Sequence, residues 1–288
     1  MAQLIGGLAT SHIPAIGKAL AKGLQQEPYW KPFFDGFPPI QQWLGEVKPD
    51  VLVVFYNDHG LNFFLDKMPT FAVGAAAEYS NADEGWGIPT LPSTPGNLDL
   101  SWHIINRLIA DEFDIVTCQE MLVDHACSLP FKLFWPEHEV APVQIVPINI
   151  NTVQFPLPTA KRVYKLGQAV GRAIQSWDSD KKVMVLASGG LSHQLDGERA
   201  GFINKDFDLQ EAYHLTDLKA TWYSPEQRWS VEVFASRSLA ASARTISVSS
   251  SAPNRPCLPR AARRRTRSPR NVLSVAKARL SRRSARVR

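Results

Sequence analysis

The sequence has few cysteines, no long apolar run and no acidic residue after Glu232. Its cysteines, Cys118, Cys127 and Cys257, form no Cys-x-x-Cys pair, so neither a disulfide framework nor a thiolate zinc site is indicated. We expect buried free thiols instead. No stretch approaches the roughly 18 apolar residues that a membrane-spanning helix needs. The first residues also lack a basic leader, so we expect a cytoplasmic protein without membrane association.

Charge is unevenly distributed along the 288 residues. Residues 233–288 contain 14 arginines and one lysine, whereas the preceding part of the chain has 17 basic and 27 acidic residues. The tail is also crowded with serine, alanine and proline, a composition that cannot bury enough apolar surface to offset the entropy of ordering it. We therefore predict one folded domain over residues 1–210, followed by a disordered or frame-shifted tail over residues 211–288.

The first 210 residues show alternating strand and helix patterns. Continuous apolar runs predict buried strands at residues 4–10, 51–56, 143–150 and 182–187. Apolar residues at three- and four-residue steps predict an amphipathic helix after Pro158, and residues 98–113 form a second helix candidate. Residues 68–97, rich in Gly, Pro and Ala, are predicted to be an irregular segment lining a cleft. This order predicts a single α/β domain with a mostly parallel sheet and helices on both faces.

Histidines follow several of the predicted strands. His12, His59 and His193 each lie within a few residues of a strand end, where ligands bind in open α/β sheets. His125 belongs to a less regular segment that could reach the same edge. A single histidine of this kind is more often structural than a ligand, but their shared placement favours a common site.

Five short motifs make the pattern more specific. They are Ser11-His12-Ile13-Pro14, Tyr56-Asn57-Asp58-His59, Ala82-Asp83-Glu84-Gly85-Trp86-Gly87, Asp124-His125, and Gly189-Gly190-Leu191-Ser192-His193-Gln194-Leu195 with Gly197-Glu198-Arg199-Ala200-Gly201. In this order they resemble the catalytic subunits of class III extradiol dioxygenases, namely protocatechuate 4,5-dioxygenase β chains and gallate dioxygenases. The resemblance covers roughly residues 1–210.

The resemblance implies an iron(II) site. His12 and His59 match the two histidine ligands, and the family completes its site with a glutamate in a Glu-Gly-x-Glu run. That run is absent here, and Glu232 preserves only a Val-Glu fragment of it. Glu232 is therefore a doubtful third ligand, and we predict that it is an exposed charge. Two imidazoles and a carboxylate would leave positions on non-haem iron for catecholate and dioxygen.

The resemblance also implies roles around the metal. His193 matches the acid/base histidine, which would move protons during ring opening, and His125 matches a histidine lining the substrate pocket. Asn57 and Asp58 would orient His59. The expected reaction is protocatechuate 4,5-cleavage with O2, with gallate and methylgallate as alternative substrates. A separate small α subunit in a hetero-oligomer is expected.

Other function classes stay open. A serine hydrolase could use Ser188 or Ser192, but no Gly-x-Ser-x-Gly elbow is present. The basic tail could bind nucleic acid electrostatically, although it lacks regularly interleaved aromatic residues, so we do not expect nucleic acid as a partner. A non-catalytic relative that keeps the fold without iron is a further alternative. Because the glutamate run is missing, we expect this chain as written to have little dioxygenase activity.

Overall fold

The computed structural model describes residues 1–85, 91–190, 198–199 and 201–207, and the backbone of three strands between residues 219 and 251. All of them belong to one compact unit, Met1–Pro253. The helices are α1 Pro14–Ala21, α2 Lys31–Phe34, α3 Pro38–Val47, α4 Leu98–Ala110, α5 His125–Phe134 and α6 Ala160–Ser176. The strands are β1 Gln3–Thr10, β2 Val51–Tyr56, β3 Phe71–Gly74, β4 Glu78–Asn81, β5 Thr94–Pro95, β6 Val116–Cys118, β7 Leu122–Val123, β8 Gln144–Ile150, β9 Lys182–Ser188, β10 Lys219–Tyr223, β11 Ser230–Ala235 and β12 Ile246–Ser251.

The central sheet has six strands in the order β1-β9-β2-β8-β3-β6. Four neighbouring pairs are parallel, and only β3 and β8 run antiparallel. The four predicted strands are confirmed as β1, β2, β8 and β9. They are almost entirely apolar because both faces of the sheet are covered, which leaves no solvent-facing side to favour polar residues.

Two separate hydrophobic clusters cover the two faces of the sheet. Leu52 and Val54 of β2 belong to one cluster, together with residues of α1, α3 and α5. Val51 and Val53 belong to the other, together with residues of α4 and α6. Because successive strand residues point to opposite faces, this alternation places helices on both sides, as the sequence predicted.

The amphipathic helix after Pro158 is confirmed as α6. Its N-cap is Thr159, whose hydroxyl accepts a hydrogen bond from the backbone of Arg162 at 3.1 Å. Leu166 and Val170 are buried against the sheet. Burying each such side chain stabilises the fold by roughly 1.5–3 kcal/mol, so the apolar stripe rather than intrinsic propensity holds α6 in place.

The prediction of an irregular segment over residues 68–97 is wrong in part. It contains β3, which lies in the central sheet, and β4, which pairs with β5 and β7. Gly74 ends β3 at a crowded position, where an added Cβ would lie 2.6 Å from Pro147 Cγ and 2.7 Å from Tyr79 Oη. Gly74, one of the residues that suggested a loop, is thus a close-packed residue of a buried strand.

Cys118 and Cys127 are buried free thiols, as predicted, and Cys257 lies outside the described residues. In the part of the chain that the structure describes, no helix is long and apolar enough to cross a membrane.

Three strands are described in the region that was predicted to be a tail. Strands β10, β11 and β12 form an antiparallel sheet, and Glu232 pairs through its backbone with Thr221 and Ser249. The side chains of these strands lie outside the description. The domain boundary at residue 210 and the character of residues 211–288 stay predictions.

Candidate functional site

Three histidines converge from distant parts of the chain. His12 follows β1, His59 follows β2, and His125 is the first residue of α5. Because β1 and β2 both pair in parallel with β9, their carboxyl ends lie at the same edge of the sheet. One ligand atom from each of the three histidines lies within 4.8 Å of the other two.

The three rings pack tightly against one another. The ring of His12 lies edge-on to those of His59 and His125, with centroids 5.3 and 5.4 Å apart. His59 and His125 have centroids 4.5 Å apart. His12 and His125 are buried, whereas the side chain of His59 keeps 16% of its surface exposed. The cluster is thus enclosed but reachable from the side of His59.

His12 is held from the end of β9. Its Nδ1 is hydrogen-bonded to Ser188 Oγ at 2.8 Å. Ser188 is the last residue of β9 and lies opposite Thr10 in the β1–β9 register. The parallel pairing of these two strands therefore brings the serine beside a histidine that is 176 residues away in sequence.

His59 is held by Asp124. One oxygen of this buried carboxylate, Oδ2, accepts hydrogen bonds from the backbone nitrogen of His59 at 3.0 Å and from its Nδ1 at 2.8 Å. The other oxygen, Oδ1, accepts from the backbone nitrogen of Ala126 at 3.0 Å and caps α5. One aspartate thus connects the His59 ring to the start of the helix that carries His125.

Asn57 and Asp58 both act near His59, in different ways. Asn57 Nδ2 lies 3.1 Å from His59 Nε2, in direct contact with the ring. Asp58 instead shapes the loop after β2, because its Oδ2 accepts from the backbone nitrogens of Gly60 and Leu61 at 3.0 Å each. Gly60 has a φ of +86°, which permits this turn. Their proposed role in orienting His59 stays a prediction.

His125 is held by Glu84. The carboxylate accepts from the His125 backbone nitrogen at 2.6 Å and from its Nδ1 at 2.7 Å. Burial raises the pKa of Glu84, but the hydrogen bonds from His125 outweigh it, so the pKa of the carboxyl lies below its usual value. Glu84 is therefore ionised at neutral pH.

The arrangement fits a divalent transition metal. An ionised carboxylate only accepts hydrogen bonds, so Nδ1 of His59 and of His125 must carry the proton. In the neutral rings each Nε2 then has its lone pair, and that of His59 accepts a hydrogen bond from the Asn57 amide, which a metal would have to displace. Neutral imidazoles whose second nitrogen donates to a carboxylate are the usual ligands of zinc, iron and copper. Glu84, Asp124 and His125 form a second, overlapping group of possible ligands.

Two predicted site residues cannot be placed. His193 lies outside the described residues, and so does the side chain of Glu232. The acid/base role of the first and the doubtful ligand role of the second therefore stay predictions.

Sequence reasoning did not assign the residues behind the histidines. Glu84 and Asp124 stand within motifs that were identified, but they received no role. An aspartate directly before a helix is an N-cap signal, which could have identified Asp124. No local signal marks Ser188 or Glu84, because their contacts with His12 and His125 depend on the strand order.

Curated relatives were found over parts of the chain. It is 47% identical to a gallate dioxygenase of Pseudomonas putida over 129 residues, which cover 45% of this chain and 38% of that protein. It is 34% identical to a 2,3-dihydroxyphenylpropionate/2,3-dihydroxicinnamic acid 1,2-dioxygenase of Photorhabdus laumondii over 187 residues, 65% of this chain and 55% of that protein. A protein of the same name from Rhodococcus jostii is 35% identical over 159 residues, 54% of this chain and 48% of that protein.

The chain thus spans about half or less of the length of these relatives. A family model described as "Catalytic LigB subunit of aromatic ring-opening dioxygenase" matches residues 6–226. The match includes all three clustered histidines and extends beyond residue 210, where the sequence resemblance was predicted to end. With most of its length matched, the chain belongs to the family of the catalytic LigB subunit of aromatic ring-opening dioxygenases.

Proposed function

We propose that this protein is a non-haem iron(II) enzyme that opens the ring of a carboxylated catechol beside its diol, using O2. The observation that carries the proposal is the convergence of His12, His59 and His125, with carboxylates fixing two of the rings. Family membership supports the reaction class. The reaction balances without a reductant, because both oxygen atoms of O2 enter the ring-opened product.

His12 and His59 would hold the ferrous ion. The sequence resemblance implies a glutamate as the third ligand, for which Glu232 is the doubtful candidate. A bound ferrous ion would supply one site for both catechol oxygens and O2 and a path for electron density between them. Ser188 and Asp124 would fix the ligand rings from behind, which keeps both imidazoles aimed at one point.

His125 and His193 would handle the substrate and its protons. With its Nδ1–H donating a hydrogen bond to Glu84, His125 in its neutral form would accept a hydrogen bond from a substrate hydroxyl through Nε2. Ring opening also needs a proton to leave the second hydroxyl and one to be returned later. Imidazoles titrate near neutral pH, so His193 is our candidate for both transfers.

Gallate and protocatechuate are the substrates to compare first. The sequence resemblance led us to expect protocatechuate with gallate as an alternative, whereas the 47% identical relative is named for gallate. Other relatives are named for 2,3-dihydroxyphenylpropionate, which carries its carboxylate on a longer arm. A small α subunit as a partner in a hetero-oligomer remains part of the proposal.

Oxygen uptake after anaerobic loading with ferrous ion tests the proposal. The 288-residue chain would be compared with a chimera in which the C-terminal segment of the P. putida relative replaces residues 211–288. Each protein would be assayed with gallate, protocatechuate and 2,3-dihydroxyphenylpropionate. We expect the chimera to consume one O2 per catechol and to give a yellow product. Cleavage between the two hydroxyls, or an iron-loaded chimera that turns over none of the three, would overturn the proposal.

The contact between Ser188 and His12 bears on the serine hydrolase alternative. In Ser-His-Asp sites the serine faces Nε2 of the histidine, whereas Ser188 faces Nδ1. Ser188 is also buried, so a substrate carbonyl would not reach it easily. The pair fits a hydroxyl that orients a metal ligand better than it fits a nucleophile.

A further inference from the structure

Glu84 makes two hydrogen bonds to one residue through two different oxygens. Its Oε1 accepts from the backbone nitrogen of His125 at 2.6 Å, and its Oε2 accepts from His125 Nδ1 at 2.7 Å. The side chains are 10% and 1% exposed, so little water competes for either bond. Rotation of the carboxylate or of the ring would break at least one of these hydrogen bonds, so each group restrains the other.

The segment carrying Glu84 is fixed by its own backbone. Strand β4 pairs in parallel with β7, and Ala82 continues this pairing by donating its backbone N–H to Val123 at 3.0 Å. The Asn81 amide then donates to the carbonyls of Leu91 and Pro92 at 3.0 and 2.7 Å. These bonds fix the backbone just before Glu84 through residues outside α5. The position of Glu84 therefore does not depend on its contacts with α5 alone.

The contact determines which nitrogen of His125 bears the proton. Because Glu84 is ionised and can only accept, Nδ1 must carry a proton, and in the neutral ring this leaves the lone pair on Nε2. A cap for the first turn of α5 would need only the backbone bond, and Asp124 already supplies one cap. The second bond, to the ring, is therefore the part that has a consequence for chemistry.

We infer that Glu84 is the positioning residue for His125: it holds the imidazole as the Nδ1–H tautomer, so that Nε2 is the ring nitrogen that would accept a hydrogen bond from a substrate hydroxyl. The tautomer and ring orientation follow from these contacts with an ionised Glu84 and need no substrate. The substrate step rests on the proposed function. The segment that carries Glu84 would thus influence the site indirectly, by positioning His125.

The tautomer can be measured without metal or substrate. Long-range ¹H–¹⁵N spectra of the metal-free, ¹⁵N-histidine-labelled full chain report which ring nitrogen carries the proton, and a His125→Asn variant identifies the His125 signals. We expect His125 as the Nδ1–H tautomer in the unmodified chain. We expect Glu84→Gln to shift it towards Nε2–H, because the amide can donate to Nδ1. Glu84→Asp should retain Nδ1–H in part.

Glu78→Gln is the matched control, since Glu78 is an exposed glutamate on β4. It should leave the spectrum unchanged. An Nε2–H tautomer in the unmodified chain, or a His125 signal that Glu84→Gln does not move, would overturn the inference. If Glu84→Gln failed to fold, the spectrum of the unmodified chain would still decide.

Kinetics of the active chimera separate this inference from the proposed function. Glu84→Gln should lower kcat about 10- to 100-fold with unchanged iron content, the usual effect of losing a group that orients a functional histidine. Glu84→Asp should recover part of the lost kcat. An unchanged kcat in Glu84→Gln would contradict the proposed hydrogen bond between His125 and the substrate. If no catechol is turned over while the His125 tautomer still responds to Glu84→Gln, the proposed function fails and the positioning role stands.

Discussion

Asp124 Oδ2 accepts a hydrogen bond from His59 Nδ1 at 2.8 Å, and the same oxygen accepts one from the His59 backbone N–H at 3.0 Å. Two donors from one residue on one oxygen fix both the loop after β2 and the ring that it carries. Since Asp124 also caps α5, the positions of two site histidines are mechanically linked through a single carboxylate.

We predict that Asp124→Asn weakens divalent metal binding about 10- to 100-fold, the usual cost of losing the carboxylate behind a ligand histidine. The helix should keep its cap because asparagine is also a good N-cap residue. Calorimetric titration of the metal-free protein with Co²⁺ or Zn²⁺ measures the loss. The control is Asp99→Asn, an exposed acid in the first turn of α4, which should leave affinity unchanged. Equal affinities in both variants would contradict the assignment.

Replacing the two proposed iron ligands should abolish binding. We expect His12→Ala and His59→Ala to contain almost no iron after anaerobic loading and desalting, since each removes one of the few protein ligands. His103→Ala is the control, because His103 contacts Ala173 and Ser176 of α6 instead. Full iron content in either ligand variant would show that another residue binds the ion.

His193 should behave differently from the ligands. In the active chimera, His193→Ala is expected to keep its iron and to lose about 10²–10⁴ in turnover, the typical value of a positioned proton-transfer group. Iron content and kcat are measured on the same sample. Loss of iron from this variant would mean that His193 is a ligand and that its assigned role is wrong.

Glu232 should not contribute to the site. We expect Glu232→Ala to leave the metal affinity and the low activity of the 288-residue chain unchanged. Robust turnover by this chain that Glu232→Ala abolished would identify Glu232 as the third ligand and refute our interpretation of the tail. Resequencing the gene and measuring the intact mass test the frame-shift hypothesis separately, because an uninterrupted frame would count against it.

Stability should fall in alkaline solution. Burial raises the pKa of the Cys118 thiol from 9.0 to about 11 and that of Tyr79 from 10.0 to about 12. The folded state thus keeps protons that the unfolded state releases, so this stabilisation is complete below about pH 9 and is lost as the pH rises through 11. Each group contributes a slope of up to roughly 1.4 kcal/mol per pH unit.

Urea unfolding between pH 8 and pH 11 measures how the free energy of unfolding changes with pH. Cys118→Ala should reduce this slope by the contribution of one titrating group. The comparison uses slopes and not absolute stabilities, since the substitution itself also removes packing. An identical slope in the variant would show that Cys118 does not retain its proton in the folded state.

Local patterns were sufficient for most of the elements. The apolar runs at β2 and β9 and the stripe of α6 were predicted because burial on both faces or on one stripe leaves a direct trace in the sequence. The pattern failed at Phe71–Gly74, where a strand of only four residues ends in glycine and so looks like part of a loop. Its membership of the sheet depends on pairing with β8, about 75 residues further along the chain.

The sequence by itself determined that His12 and His59 follow buried strands, and hence that they lie at the ligand-binding edge of a parallel sheet. Only the tertiary structure decided what stands behind each ring. Ser188, Asp124 and Glu84 are 176, 65 and 41 residues away from the histidines that they hold. The contact of Ser188 exists because β9 pairs with β1, and that of Glu84 exists because β7 runs beside β4. Strand order follows from the packing of the whole domain, so no local stretch of sequence encodes it.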